Sequence, residues 1–126
     1  PEAFLTAMTP EDNIDSVASW TAPDGQLLLV ATAKATDQLV VYDGSTGATL
    51  RRVGSEGAAP GQFNRPNGIA IADDLAFVVE RDGRRVQVLR LPDLLAHPCG
   101  VQIAPRGQIL GEGHGAAVLV IKESRR

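Results

Sequence analysis

The chain has 126 residues, of which 44% are hydrophobic and 21% charged, a globular composition with room for one domain and no second core. Its longest apolar runs, such as Leu27 to Ala31, fall far short of a bilayer span, so a soluble protein is expected. Twelve Lys and Arg against fifteen Asp and Glu give a net charge of -3, which argues against a surface built to neutralise nucleic-acid phosphates.

Thirteen Gly, eight Pro and short runs of Val, Ile and Leu, without a sustained helical spacing, predict an all-β chain of short strands and tight turns. The first strand is expected at Ile14 to Trp20. Ala22-Pro23-Asp24-Gly25 then carries turn chemistry, because Pro fixes φ and Gly supplies a positive φ. Gln26 to Thr32 is apolar enough for a strand buried on both faces, and Gln38 to Asp43 and Ala48 to Val53 complete a four-stranded antiparallel unit. The stretch from Gly54 to Pro66 is too rich in Gly and Pro for a helix and reads as a connector. The series then restarts with strands at Asn67 to Ala72, Leu75 to Glu80 and Arg85 to Leu91, with Asp82-Gly83 turning between the last two. A third copy is expected from Gly100 to Ala104, Gln108 to Gly111 and Ala117 to Glu123.

Landmark spacing tests the repeat. Val17, Ile69 and Val101 are 52 and 32 residues apart, and Leu39, Val86 and Val118 are 47 and 32 apart. The first step disagrees by five, while the second agrees. The expected organisation is a single partial domain, with one blade at about 13–54, a second at about 65–97 that has lost its outer strand, and a partial third at 98–123.

Gly61-Gln62-Phe63-Asn64-Arg65-Pro66-Asn67-Gly68-Ile69-Ala70, followed by Phe77 to Leu89, resembles an NHL-type propeller repeat. The segment Glu11 to Trp20, with Ala33-Lys34 and Leu39 to Asp43, is similar to the opening of the phytase-like (3-phytase) β-propeller superfamily. Together the two resemblances cover residues 11–93. They imply two to three antiparallel β-propeller blades, too few to close alone, since radial closure takes about four to eight. The open wedge would expose apolar faces and strand edges. The expectation is therefore a homo-oligomer of two or three copies completing a ring, or a piece of a longer propeller. Residues Pro1 to Met8, with Phe4 and Leu5, are expected to pair with another copy's edge.

The phytase-like resemblance implies a calcium-dependent hydrolase of phosphate monoesters, in which Ca²⁺ takes six to eight oxygens from loop-tip carboxylates and bridges to a phosphorylated small molecule. Carried over by position, the metal ligands are Asp12, Asp15, Glu80 and Asp82, and the phosphate contacts are Lys34 and Arg81. The family pairs two Asp before a Pro and ends the strand in Trp. Here Trp20 matches and Asp15 fills the first Asp position, whereas Ser16 and Val17 replace the second Asp and the Pro, which removes one ligand charge. Each candidate also has a plainer reading. The favoured reading takes Glu11, Asp12 and Asp15 as a solvated entrance to the first strand, Asp73-Asp74 and Asp82-Gly83 as turns, and Lys34 as an exposed loop lysine. Arg84 and Arg85 fall where NHL repeats place an Arg that ties blades together, and a structural ion pair is the favoured reading. The competing class is a non-enzymatic propeller module that completes a ring and binds a protein or carbohydrate partner.

Other chemistry finds little footing. The loop at 54–68 lacks the Gly-Lys-Ser/Thr ending of a phosphate-gripping loop. His97 and His114 have no Cys or His partner at ligand spacing. Ser45 lacks the Gly-x-Ser-x-Gly setting of a hydrolase nucleophile. Cys99 is the single cysteine and reads as a buried, inert thiol. With no disulfide and no visible signal peptide, the compartment is left open, a periplasmic or secreted location included.

Overall fold

Alternating β-branched runs and tight turns build two successive antiparallel meanders. The computed structural model describes residues 4–59 and 61–92 and the backbone of residues 118–122. A short 3-10 turn at Pro10–Asp12 leads into β1 (Ile14–Thr21), β2 (Leu27–Ala33), β3 (Gln38–Asp43) and β4 (Thr49–Val53), which pair in that order as the first sheet. The second sheet pairs β5 (Pro66–Ala72), β6 (Leu75–Glu80), β7 (Arg85–Arg90) and β8 (Val118–Lys122) in the same order. The fold is all-β, in two blade-like sheets that do not close on themselves.

The turns are held by the residues expected to hold them. Gly25 sits at φ 90°, and the Asp24 carboxylate accepts from the Gln26 amide at 2.9 Å. Asp43 does the same for the Ser45 amide at 2.7 Å. Such side-chain acceptors fix a local turn without help from distant residues.

The repeat extends into backbone detail. Ala33 faces Gln38 across the turn after β2, and Glu80 faces Arg85 across the turn after β6, a step of 47 residues. Both turns carry a non-Gly residue in the left-handed region, Asp37 and Arg84. β1 has a bulge between Ile14 and Ser16, and β5 has one between Pro66 and Gly68, a step of 52. The residues just before them, Asn13 and Arg65, are again left-handed. The five-residue difference between the two steps lies in one hairpin. Trp20 and its partner Leu28 are joined by seven residues, whereas Ala72 and its partner Leu75 are joined by only Asp73 and Asp74.

One strand falls elsewhere than expected. Val118 is not the third-copy counterpart of Val86; it is the ladder partner of Leu89, and residues 118–122 form the outer strand of the second sheet. The free edge of β7 needs hydrogen-bond partners, and the apolar run Val118 to Ile121, rich in β-branched residues, supplies a strand that pairs there. The expected strands at Gly100 to Ala104 and Gln108 to Gly111 lie outside the described residues, as does the remnant Leu94 to His97.

The main core lies between the sheets. Trp20, Leu28, Val30, Leu39 and Val41 of the first sheet pack with Ala76, Val78 and Leu89 of the second, and Phe63 of the connector is fully buried among them. The opposite face of the first sheet carries a smaller cluster of Ala31, Ala33, Val40 and Tyr42. Residues 4–9, most of the segment expected to pair with another copy's edge, form no strand within the chain. They lie on this second face, from the Phe4 ring beside Gly47 to Thr9 and Pro10 near Asn13 and Tyr42. An extended apolar segment next to its own uncovered sheet finds that surface within reach, without a second molecule.

Candidate functional site

In both sheets the first strand begins and the second strand ends at the same end of the molecule, so the turns at 34–37 and 81–84 gather there with the entrances to β1 and β5. All six residues read from the sequence as metal ligands or phosphate contacts lie at this turn end. Each of the four candidate carboxylates has a cationic neighbour.

Asp12 is completely buried. Its Oδ1 accepts from Thr36 Oγ1 at 2.7 Å and from Arg52 Nη1 at 2.8 Å, and its Oδ2 accepts from Arg52 Nη2 at 2.8 Å. This two-pronged geometry gives strong, directional charge-assisted bonds. The Arg52 hydrogen bonds, with smaller contributions from Thr36 and Thr9, outweigh burial and hold the Asp12 carboxyl well below the usual carboxylate range. The Asp12 carbonyl also accepts from the Ala35 amide at 3.0 Å. Asp12 thus joins its own 3-10 turn, the β2–β3 turn and β4.

Glu80 is equally enclosed, at 1% exposure. Its Oε1 accepts from the Asn64 amide at 2.8 Å, and its Oε2 accepts from Arg85 Nε at 2.5 Å and Gln87 Nε2 at 2.8 Å. Arg85 donates further to the carbonyls of Ala58, Ala59 and Gln62. Gln87 donates to the Gln62 carbonyl at 2.6 Å and accepts from the Gly61 amide at 2.8 Å. The network pins the connector between the sheets to the second sheet. A buried pair is stable only when its remaining polar atoms are satisfied in this way. Gly83 closes the site from above, since a Cβ there would lie 2.8 Å from Glu80 Oε1.

The remaining candidates are at the surface. Lys34 Nζ lies 3.6 Å from Asp15 Oδ1, with both side chains partly exposed. Arg81 Nε lies 3.8 Å from Asp82 Oδ1, with both well exposed. Pairs of this kind contribute little to stability, about 0–1 kcal/mol. Asp37, on the β2–β3 turn, accepts from the Arg65 amide at 2.7 Å and stitches the first sheet to the entrance of β5. Among the described residues, no three His, Cys, Asp or Glu side chains come together closely enough to share a metal ion.

The structure adds residues that sequence reasoning passed over. Arg52 and Thr36 complete the Asp12 site, and Gln62, Asn64 and Gln87 complete the Glu80 site. Gln87 carried a signal, being a polar residue on the face that Arg85 and Leu89 share in an otherwise apolar strand. Asn67 is the bulge counterpart of Asp15, and its side-chain Oδ1 is buried without a hydrogen-bond partner. Comparison with protein families, with curated proteins and with solved structures gives no match to this chain.

Proposed function

We propose that this chain is a repeat module of the NHL and phytase-like propeller kind that its sequence resembles, and that it works by binding a protein or carbohydrate partner. The observation that carries this reading is the charge matching at the turn end. Asp12 and Glu80 are committed to the two networks that hold the connector and turns in place. What remains at the surface is a mixed set of acidic and basic side chains on loops stiffened from beneath, the usual form of a recognition surface on a rigid scaffold.

A second reading, calcium-dependent hydrolysis of a phosphate monoester, is favoured by one observation. Asp15 and Asn67 occupy equivalent bulges on β1 and β5, and the Asn67 oxygen lacks a partner. Hard cations take such oxygens. One experiment separates the two readings: thermal unfolding of the chain across a calcium titration, with turnover of a generic aryl phosphate measured in parallel. A binding module keeps its melting temperature and shows no turnover at millimolar calcium. A melting temperature that climbs with calcium concentration, as binding to the folded state requires, together with turnover, would overturn the binding reading in favour of the hydrolase.

A further inference from the structure

The repeat relation assigns a mate to each outward face. Within the molecule, Leu28, Val30, Leu39 and Val41 of the first sheet meet Ala76, Val78 and Leu89 of the second. By the 47-residue step, the first four correspond to Leu75, Phe77, Val86 and Val88, on the far face of the second sheet. By the same step, Ala76, Val78 and Leu89 correspond to Leu29, Ala31 and Tyr42, on the far face of the first sheet. Both halves of the internal contact therefore recur, one on each outer side, where Val88, Ala31 and Tyr42 are already buried and the other counterparts are partly exposed.

Burial follows the same logic. Val30 and Leu39 are 0% exposed between the sheets, whereas their counterparts Phe77 and Val86 are only half-buried. Thr32 is fully buried, and its counterpart Val79 is 44% exposed. On the far face of the first sheet, Val17 is 58% exposed while its counterpart Ile69 packs into the core. The segment 4–9 covers that face without filling it. A groove of about 560 Å³ remains beside Val17, Leu29 and Tyr42, and Leu5 and Met8 of the segment are 76% and 90% exposed.

We infer that a second copy of this chain docks head to tail, the far face of its second sheet seating on the far face of the first sheet, with residues 4–9 as a displaceable cover. The inference rests on the reading of the chain as a repeat module. The contact continues an interface the molecule already contains, so its shape and apolar character are set by the internal pair. It is heterologous: neither face is expected to bind its own kind.

Sedimentation velocity of the full chain over a concentration series tests this. Val17→Lys blocks one face and Val79→Lys the other, both at exposed positions, with circular dichroism confirming the fold. The parent chain is expected to self-associate with concentration, and each lysine variant alone to remain monomeric. An equimolar mixture of the two variants retains one intact pair of faces and should form a 1:1 dimer and nothing larger. Phe4→Ser, which loosens the cover beside Gly47, should strengthen self-association of the parent about tenfold. The inference is overturned if parent and Phe4→Ser both sediment as monomers, if either lysine variant associates as the parent does, or if the mixture stays monomeric. The calcium titration is carried out on the parent chain, so failure of the module reading and failure of the docking inference appear in separate measurements.

Discussion

Asp12 shows how one carboxylate can be both an expected ligand and a structural bond. Its fork to Arg52 favours the ionised form, so the carboxyl releases its proton more readily in the folded chain than in the unfolded one, where its value is near 3.8. The stability it provides is fully present above that unfolded value and is lost as pH falls through the lower folded value. The expected outcome is a urea midpoint that drops between about pH 4 and pH 2 in the parent chain, and drops less steeply in Asp12→Asn. Equal slopes in the two proteins would remove Asp12 from the acid response. Glu80 was singled out on position in the chain, and its role was set by Gln87 and by the Asn64 amide, which a linear reading does not bring together. Ligand residue types are visible in a sequence, whereas the partners that occupy them, such as Arg52 forty positions from Asp12, depend on register and packing.

At the scale of elements, the connector between the sheets depends on a close approach at its start. Gly54 sits at φ 93°, and a Cβ there would lie 2.5 Å from the Phe63 ring and 3.2 Å from the Gly61 carbonyl. Gly54→Ala therefore combines backbone strain with overpacking against a fully buried ring, and should lower unfolding stability by at least about 2 kcal/mol, with an unchanged denaturant slope. A loss below about 0.5 kcal/mol would mean that Phe63 can shift freely, contrary to its place in the core. Seven strands could be read to within a residue at each end from alternation and turn chemistry, because those signals are local. The 52 and 47 steps held real information, since their difference is the longer β1–β2 hairpin. The eighth strand was misassigned because sequence order says nothing about which free edge a distant segment will join. The matching 32-residue steps to Val101 and Val118 gave it a false home.

For the whole molecule, the decisive surface is the one shared by both sheets. Trp20 is the only tryptophan, is 6% exposed and belongs to the same core as Phe63, Val78 and Leu89. Its emission therefore reports on the contact between sheets, whereas far-ultraviolet circular dichroism reports on the strands. If one core stabilises both sheets, the two signals should follow a single transition in guanidinium, as two-state unfolding requires. A tryptophan transition preceding the loss of strand signal would mean that the sheets part before they melt, and that each has stability of its own.

The Asp12–Arg52 fork also has a mechanical meaning. It ties the residues just ahead of the first strand to the outermost strand of the same sheet, with the β2–β3 turn caught between them through Thr36 and Ala35. A pull on the amino end would peel residues 4–9 away at low force and then stop at this buckle. Beyond it, the load would reach the sheet at both margins together and shear the ladder, where a pull on β1 alone would unzip it one bond at a time.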